Sequence, residues 1–268
     1  MADPRVTAKA LATIVATRRE RGEAPVTLGH VFPFSSHHYQ LRLWLRAGHL
    51  DPDEDVRLVV VPPPLMVWTL RKGQLDGFCV GAPWNAVAVA AGAGIILHQG
   101  TAIVRDCPEK VLAFRAEWAR SHGDDVRALT EAVGDASRWA AAPSNRDALV
   151  ALLTNTAGQD VSARTIERVL ESPASPSCPA RSETGLRLGE DAIKADPAQA
   201  LWLYAQMAAA GQTVYSRVQA EAAAAVYAPA LGPPISRLAA TPVAFDGPAF
   251  SPNDIASYVL ALNAGLPS

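Results

Sequence analysis

Short apolar segments alternate with helical segments between residues 26 and 80, and this alternation limits the fold of the chain more than any other feature. The strands are predicted at 26–32, 56–61 and 77–80 with a further one at 94–98, and the helices at 35–48 and 65–71. Strands and helices that alternate in this way predict a parallel sheet, with a ligand site at the carboxyl ends of its strands. We therefore predict an α/β fold.

The start of the helix predicted at 35–48 is the first candidate for that site. Ser35 or Ser36 is suited to cap the helix, because a serine hydroxyl accepts hydrogen bonds from the N–H groups of the first turn. His37 lies in the same turn, where the backbone N–H groups have no partner within the helix and the helix dipole adds roughly half a positive charge. Ser36 and His37 thus mark a candidate seat for an anion.

Composition and motifs argue against several classes of function. The formal net charge is -2 and no unbroken Lys/Arg run is longer than Arg18-Arg19, so we expect no direct contact with nucleic acid. The longest apolar run, 86–97, is too short to span a bilayer, so we expect no transmembrane segment. The sequence contains no nucleophile motif, phosphate-binding loop or metal-ligand spacing. We therefore expect no enzymatic activity, no metal and no cofactor.

The N-terminus and the cysteines bear on where the protein acts. Residues 1–24 predict an amphipathic leading helix and lack the apolar core of a secretory signal. Cys79, Cys107 and Cys178 are odd in number and have no metal-binding spacing, which favours a reducing compartment. We expect a cytoplasmic location, with a periplasmic location as the alternative if the natural N-terminus lies upstream of Met1.

Five stretches of the sequence form a recognisable series, namely VFPFSSHHYQLRLWL (31–45), VVVPPPLM (59–66), DGFCVGAPWN (76–85), CPEKVLAFRAEW (107–118) and QALWLYAQMAAAGQ (199–212). In this order, they resemble the nitrate/bicarbonate-binding family of ABC-transporter solute-binding proteins. The resemblance implies a two-lobe fold of the periplasmic-binding-protein type (type II). Within the family, PPPLM and the FDGPAF segment at 245–250 are similar to the cytoplasmic nitrate-sensor branch (NasS type).

The chain departs from the family in two ways. Family members open with a first-lobe segment that has no counterpart here, and they carry a glutamate where this chain has Ala82. We therefore expect a leading helix at 1–24, a complete lobe 2 at 25–110 and a partial, mainly helical lobe 1 at 111–268. The sheet edge that the missing strands would cover should be exposed, which predicts association with another chain, poor solubility or a gene fragment.

The resemblance also implies a set of ligand contacts. His37 would donate to an oxygen of the anion, Gly81 would offer its backbone N–H, and Lys110 would supply a compensating positive charge. Ala82 occupies a pocket position of the family but can offer only its backbone. Three of these residues have a structural alternative to ligand binding. In that alternative, His37 forms a surface pair with His38, Gly81 permits a tight turn, and Lys110 is a solvated surface lysine.

Such contacts suit a planar monovalent oxyanion, and the alanine at position 82 should favour nitrate, which is fully ionised, over bicarbonate. The resemblance thus implies a sensor or solute-binding protein for nitrate or nitrite, with bicarbonate as a further candidate. The implied partner of a sensor is a NasT-like RNA-binding antiterminator. The first alternative is an ABC-transporter receptor that delivers nitrate, bicarbonate or a sulfonate to an ABC permease. The second is a ligand-free remnant that acts as an interaction protein.

Overall fold

The computed structural model describes residues 2–157, 161–170, 188–189, 192–193, 195–227 and 242–264. The strands are β1 (Thr27–His30), β2 (Arg57–Val60), β3 (Gly77–Phe78), β4 (Val104–Arg105) and β5 (Val243–Ala244). The helices are α1 (Pro4–Glu20), α2 (Ser36–Ala47), α3 (Pro63–Arg71), α4 (Trp84–Ala90), α5 (Gly100–Ile103), α6 (Ala116–Ser121), α7 (Gly123–Ala141), α8 (Arg146–Ala157), α9 (Ala163–Leu170), α10 (Pro197–Ala209), α11 (Arg217–Val226) and α12 (Ile255–Ala264).

A parallel sheet with the strand order β2-β1-β3 organises the N-terminal half. Leu28 of the central strand β1 pairs with Leu58 of β2 on one side and with Gly77 of β3 on the other. Because the strands are parallel, the loops that follow β1 and β3 leave the sheet side by side at its carboxyl edge. The predicted alternation of strands and helices between residues 26 and 80 is confirmed, although each strand is shorter than predicted.

Helix α2 follows β1 and begins where its capping serine lies. The hydroxyl of Ser35 accepts a hydrogen bond from the N–H of His38 at 3.2 Å, so Ser35 is the cap and Ser36 is the first helical residue. The helix ends at Gly48, where α1 crosses very closely. A Cβ on Gly48 would lie 2.5 Å from the carbonyl oxygen of Ala8, so a residue without a side chain is needed there.

Helix α2 lies between two hydrophobic cores and is buried over most of its length. On one face, Leu41 and Leu45 pack with Leu28 of β1. On the other face, Leu43 belongs to a core that also contains Trp202 of α10 and residues of α12. The C-terminal helices therefore hold α2 from the side opposite the sheet. A third cluster joins α8 and α9 to α4.

The strand predicted at 94–98 is wrong. Residues 94–99 have no regular secondary structure, and the side chain of Ile95 is 85% exposed. A strand needs a neighbouring backbone to hydrogen-bond, and this segment pairs with no strand of the described sheets. The apolar composition of this segment therefore did not suffice to make it a strand.

The division of the chain at residues 24 and 110 stays a prediction. Val104 of β4 and Trp202 of α10 are fully buried in the same core, so residues on both sides of position 110 pack together. At one edge of the sheet, Val60 of β2 is about half exposed. The predicted association concerns a different edge, the one that the missing lobe 1 strands would cover, and it stays a prediction. In the part of the chain that the structure describes, the helices are too short or too polar to cross a membrane.

Candidate functional site

Three segments of the chain meet at the carboxyl edge of the parallel sheet. The first is the start of α2, which follows β1 and carries His37. The second is the loop after β3, which contains Gly81, and the third is the loop after β4, which contains Lys110. Since β1 and β3 are neighbours, the first two segments must leave the sheet close together.

Three of the residues expected from the sequence are brought together at this edge. A Cβ built on Gly81 would lie 3.5 Å from Nε2 of His37 and 3.7 Å from Nζ of Lys110. The space next to the Gly81 backbone is therefore bordered by an imidazole nitrogen and by an ammonium group. Both groups can donate hydrogen bonds to a ligand oxygen placed there.

The other two expected residues, Ser36 and Ala82, differ in their surroundings. Ser36 is buried at the first position of α2, near the thiol of Cys107. Ala82 is exposed and precedes a cis peptide bond to Pro83. The side chain of Ser36 is thus enclosed by the protein, and the roles of Ser36 and Ala82 as ligand contacts stay predictions.

Glu109 lies at the same place, although it was not expected there. Its Oε1 is 3.4 Å from Nε2 of His37, and its Oε2 is 3.3 Å from Nζ of Lys110. The alanine at position 82 therefore does not leave this region without a carboxylate. The available signal was the position of Glu109 directly before Lys110 in the CPEKV segment. The loop conformation that turns both side chains toward α2 cannot be read from that segment alone.

The imidazole of His37 is buried and has a lowered pKa. Burial is the main cause, the carboxylate of Glu109 opposes it, and the ammonium of Lys110 lowers the pKa further. The ring is therefore mostly neutral at pH 7. Its Nδ1 has no hydrogen-bond partner among the described residues, while Nε2 faces a carboxylate. The tautomer with the proton on Nε2, directed toward the site, is favoured.

Beneath these residues, the buried side chain of Gln40 connects the three segments. It lies one turn after His37 on α2, and its Nε2 donates to the sulfur of Cys107 at 3.3 Å. Its Oε1 accepts from the thiol of Cys79, which follows β3, at 3.7 Å. Burial raises the pKa of both thiols to about 12, so both remain protonated at neutral pH. Sequence reasoning missed Gln40, because it considered Cys79 and Cys107 for metal spacing and compartment and did not relate them to a polar side chain.

The close fit around Gln40 also explains a nearby glycine. A Cβ on Gly100, at the start of α5, would lie 2.9 Å from Oε1 of Gln40. The glutamine amide is therefore held by two sulfur contacts and by a backbone that leaves it little room. The side chains at the site are supported from below by a fixed polar group.

Chemically, the site offers donors to an anion. No group of three or more His, Cys, Asp or Glu side chains in the described ranges is placed to hold a metal ion. A groove of about 430 Å³ lies elsewhere, between α10 and α11. It is lined mainly by apolar side chains such as Leu203, Met207 and Val226, so it is not suited to an anion.

Known proteins are similar to this chain in sequence. The model of the NMT1-like family matches residues 2–154. A bicarbonate transport ATP-binding protein, CmpC of Synechocystis sp. PCC 6803, is 34% identical over 195 residues, which are 71% of this chain and 29% of that protein. A nitrate/nitrite binding protein, NrtA of Synechococcus elongatus PCC 7942, is 41% identical over 118 residues, which are 44% of this chain and 27% of that protein. The matches thus span less than a third of the length of either relative.

A solved structure has the same fold. The crystal structure of the periplasmic nitrate-binding protein NrtA from Synechocystis PCC 6803 superposes with a TM-score of 0.77 and 22% sequence identity. The superposition covers 95% of this chain and 70% of that chain. The expected α/β fold of the periplasmic-binding-protein type is therefore confirmed. The absence of part of lobe 1 stays a prediction.

Proposed function

This chain belongs to the NMT1-like family, and from that premise we propose that it binds a small planar oxyanion and catalyses no reaction. The observation that carries the proposal is the convergence of His37 Nε2 and Lys110 Nζ on the backbone of Gly81. An imidazole N–H and an ammonium both donate to anionic oxygens, and hydrogen bonds to charged groups are stronger than neutral ones. The resemblance to this family that the sequence motifs indicated is confirmed by one relative named for nitrate and nitrite binding and another named for bicarbonate transport.

Nitrate and nitrite are the ligands that we propose first. The groups closest to Gly81 are hydrogen-bond donors. Nitrate is fully ionised, so it accepts hydrogen bonds and has no hydroxyl proton that would need an acceptor in the site. A relative named for binding nitrate and nitrite supports this choice.

Bicarbonate is the second candidate, and Glu109 is the observation that favours it. Bicarbonate carries a hydroxyl that can donate to a carboxylate, whereas nitrate cannot donate. A relative named for bicarbonate transport is consistent with this alternative. The two candidates predict opposite roles for Glu109: a carboxylate that stays in the site supports bicarbonate and opposes nitrate.

Titration calorimetry tests the proposal directly. The protein is titrated with sodium nitrate, nitrite and bicarbonate, with sodium chloride as the reference anion. We expect saturable binding of at least one oxyanion, lowered about tenfold or more in His37→Ala, because His37 is buried and a hydrogen bond to a charged group contributes roughly 1.5–3 kcal/mol.

A lysine pair provides a matched control. Lys110→Gln should weaken binding by about fivefold, because an exposed charge contributes at most about 1 kcal/mol. Lys72→Gln, which removes a lysine that lies over the ring of Trp68, should have no effect. Absence of binding by the wild-type protein, or equal loss in both lysine variants, would contradict the proposal.

We further propose that the protein reports the anion to a partner in the cytoplasm. The PPPLM and FDGPAF segments, which resemble the sensor branch, support this role. The proposed partner is a NasT-like antiterminator, bound without anion and released with it. Delivery of the anion to an ABC permease is the alternative, and it is favoured by relatives named as parts of import and transport systems. Co-elution with the purified antiterminator that nitrate abolishes would support the sensor role, whereas no co-elution under either condition would oppose it.

A further inference from the structure

The carboxylate of Glu109 contacts both of the donor groups that the proposed anion would use. One of its oxygens lies 3.4 Å from His37 Nε2, and the other lies 3.3 Å from Lys110 Nζ. A carboxylate is a planar group with two oxygens on a trigonal atom, and nitrate, nitrite and bicarbonate present oxygens in nearly the same arrangement. The carboxylate of Glu109, although part of the chain, therefore makes the contacts that an anionic ligand would make.

We propose that Glu109 is an internal competitor, which occupies the anion site when no ligand is bound and must leave it when nitrate enters. This inference rests on the proposed function, because it assumes that the donors of His37 and Lys110 receive an anion. It goes further by naming the residue that sets the affinity of the site. In the described part of the chain, the hydrogen bonds and ion pairs of Glu109 are those with His37 and Lys110.

The surroundings of Glu109 allow such an exchange. Its side chain is 41% exposed and that of Lys110 is 84% exposed, so rotation about side-chain bonds moves the carboxylate into water without a change of the backbone. The contact to Lys110 is screened by solvent and contributes little. His37 is only 6% exposed, so the contact to its ring is the better protected of the two. Competition of about fivefold to tenfold in affinity is therefore expected.

The first test compares nitrate affinity in three proteins by titration calorimetry at pH 7.5 and low salt. Glu109→Gln keeps the size of the side chain and removes the charge, and Glu131→Gln does the same at an exposed position of α7. We expect Glu109→Gln to bind nitrate five to ten times more tightly than the wild type, and Glu131→Gln to bind it equally. An unchanged or weaker affinity in Glu109→Gln would overturn the inference, and weaker bicarbonate binding in that variant would assign Glu109 to ligand recognition instead.

The second test does not require that nitrate is the ligand. Glu109→Ala leaves the donors without their carboxylate, so formate, which is the smallest carboxylate, should bind this variant more tightly than it binds the wild type. The imidazole resonances of His37 provide a further readout, because loss of Glu109 should lower the pKa of His37. If formate binds Glu109→Ala while the wild type binds no oxyanion, Glu109 occupies the donors as proposed, but it does not give way to a ligand and the proposed function fails. If formate does not bind and the pKa of His37 is unchanged, the inference fails.

Discussion

Replacing Gly81 by alanine is the most direct perturbation of the site, because it adds one methyl group at the point where the donors converge. The added Cβ would lie 3.5 Å from His37 Nε2 and 3.7 Å from Lys110 Nζ, which are ordinary contact distances. We therefore expect the free energy of unfolding to change by less than about 0.5 kcal/mol. The backbone N–H of residue 81 is retained, so any loss of nitrate affinity must come from the space that the added methyl group occupies.

The expected loss of affinity follows from the same distances. An oxygen that accepts from His37 Nε2 must approach to about 2.9 Å, and a methyl carbon 3.5 Å from that nitrogen takes up much of the space next to it. Loss of one hydrogen bond to a charged group costs about 1.5–3 kcal/mol, which corresponds to a roughly 10-fold to 150-fold weaker affinity for nitrate. Titration calorimetry measures the affinity, and urea denaturation measures the stability of the same samples.

Gly94→Ala is the matched control, because its Cβ would also meet one side-chain atom at 3.5 Å, namely Cδ2 of Leu70, away from the site. This variant should bind nitrate with the affinity of the wild type. Nitrate binding by Gly81→Ala within twofold of the wild type would refute the placement of the anion next to Gly81. An equal loss in Gly94→Ala would show that the effect is not local.

Three further predictions concern stability and the support of the site. Burial lowers the pKa of His38 to about 4, and His30 and Arg42 add to the effect. Between about pH 6.5 and 4 the unfolded chain therefore binds more protons than the folded protein, and urea denaturation should show that roughly 3 kcal/mol of stability is lost as the pH falls through this range. His38→Gln should reduce this loss. Gly48→Ala places a Cβ 2.5 Å from a backbone oxygen of α1 and should cost about 1–3 kcal/mol, whereas Gly123→Ala, with open space around its Cβ, should cost nothing. Gln40→Leu should weaken nitrate binding about tenfold by calorimetry, because a hydrogen-bonded link between the loops is lost, and wild-type affinity would contradict the role of Gln40 as a support.

Local sequence patterns were sufficient to predict the elements around the sheet. The helix predicted at 35–48 is observed as Ser36–Ala47, because a capping serine and a terminal glycine define its ends. The segment 94–98 shows the limit of such patterns. Its apolar residues are suited to a strand, but a strand also requires a partner backbone, and pairing depends on parts of the chain distant in sequence.

The candidate site was predictable to the extent that single motifs carry its residues. His37, Gly81 and Lys110 each lie in a recognisable stretch, and the structure brings them together. Glu109 and Gln40 were missed for a physical reason. The contacts of Glu109 depend on the conformation of the loop after β4. Those of Gln40 depend on which sulfur atoms the neighbouring loops bring next to α2.

The short length of β3 explains why these supporting contacts matter. The strand spans two residues, and beyond it the N–H of Cys79 donates to the carbonyl of Gly29 at 2.9 Å. Sheet hydrogen bonds therefore end two residues before Gly81, and the position of Gly81 relative to His37 is set in part by the bond of the Cys79 thiol to Gln40. The same glutamine also holds Cys107, which lies three residues before Lys110. One buried amide thus connects the helix that carries His37 to both loops, so a change at Gln40 should separate the donors while the two hydrophobic cores on either side of α2 keep the fold.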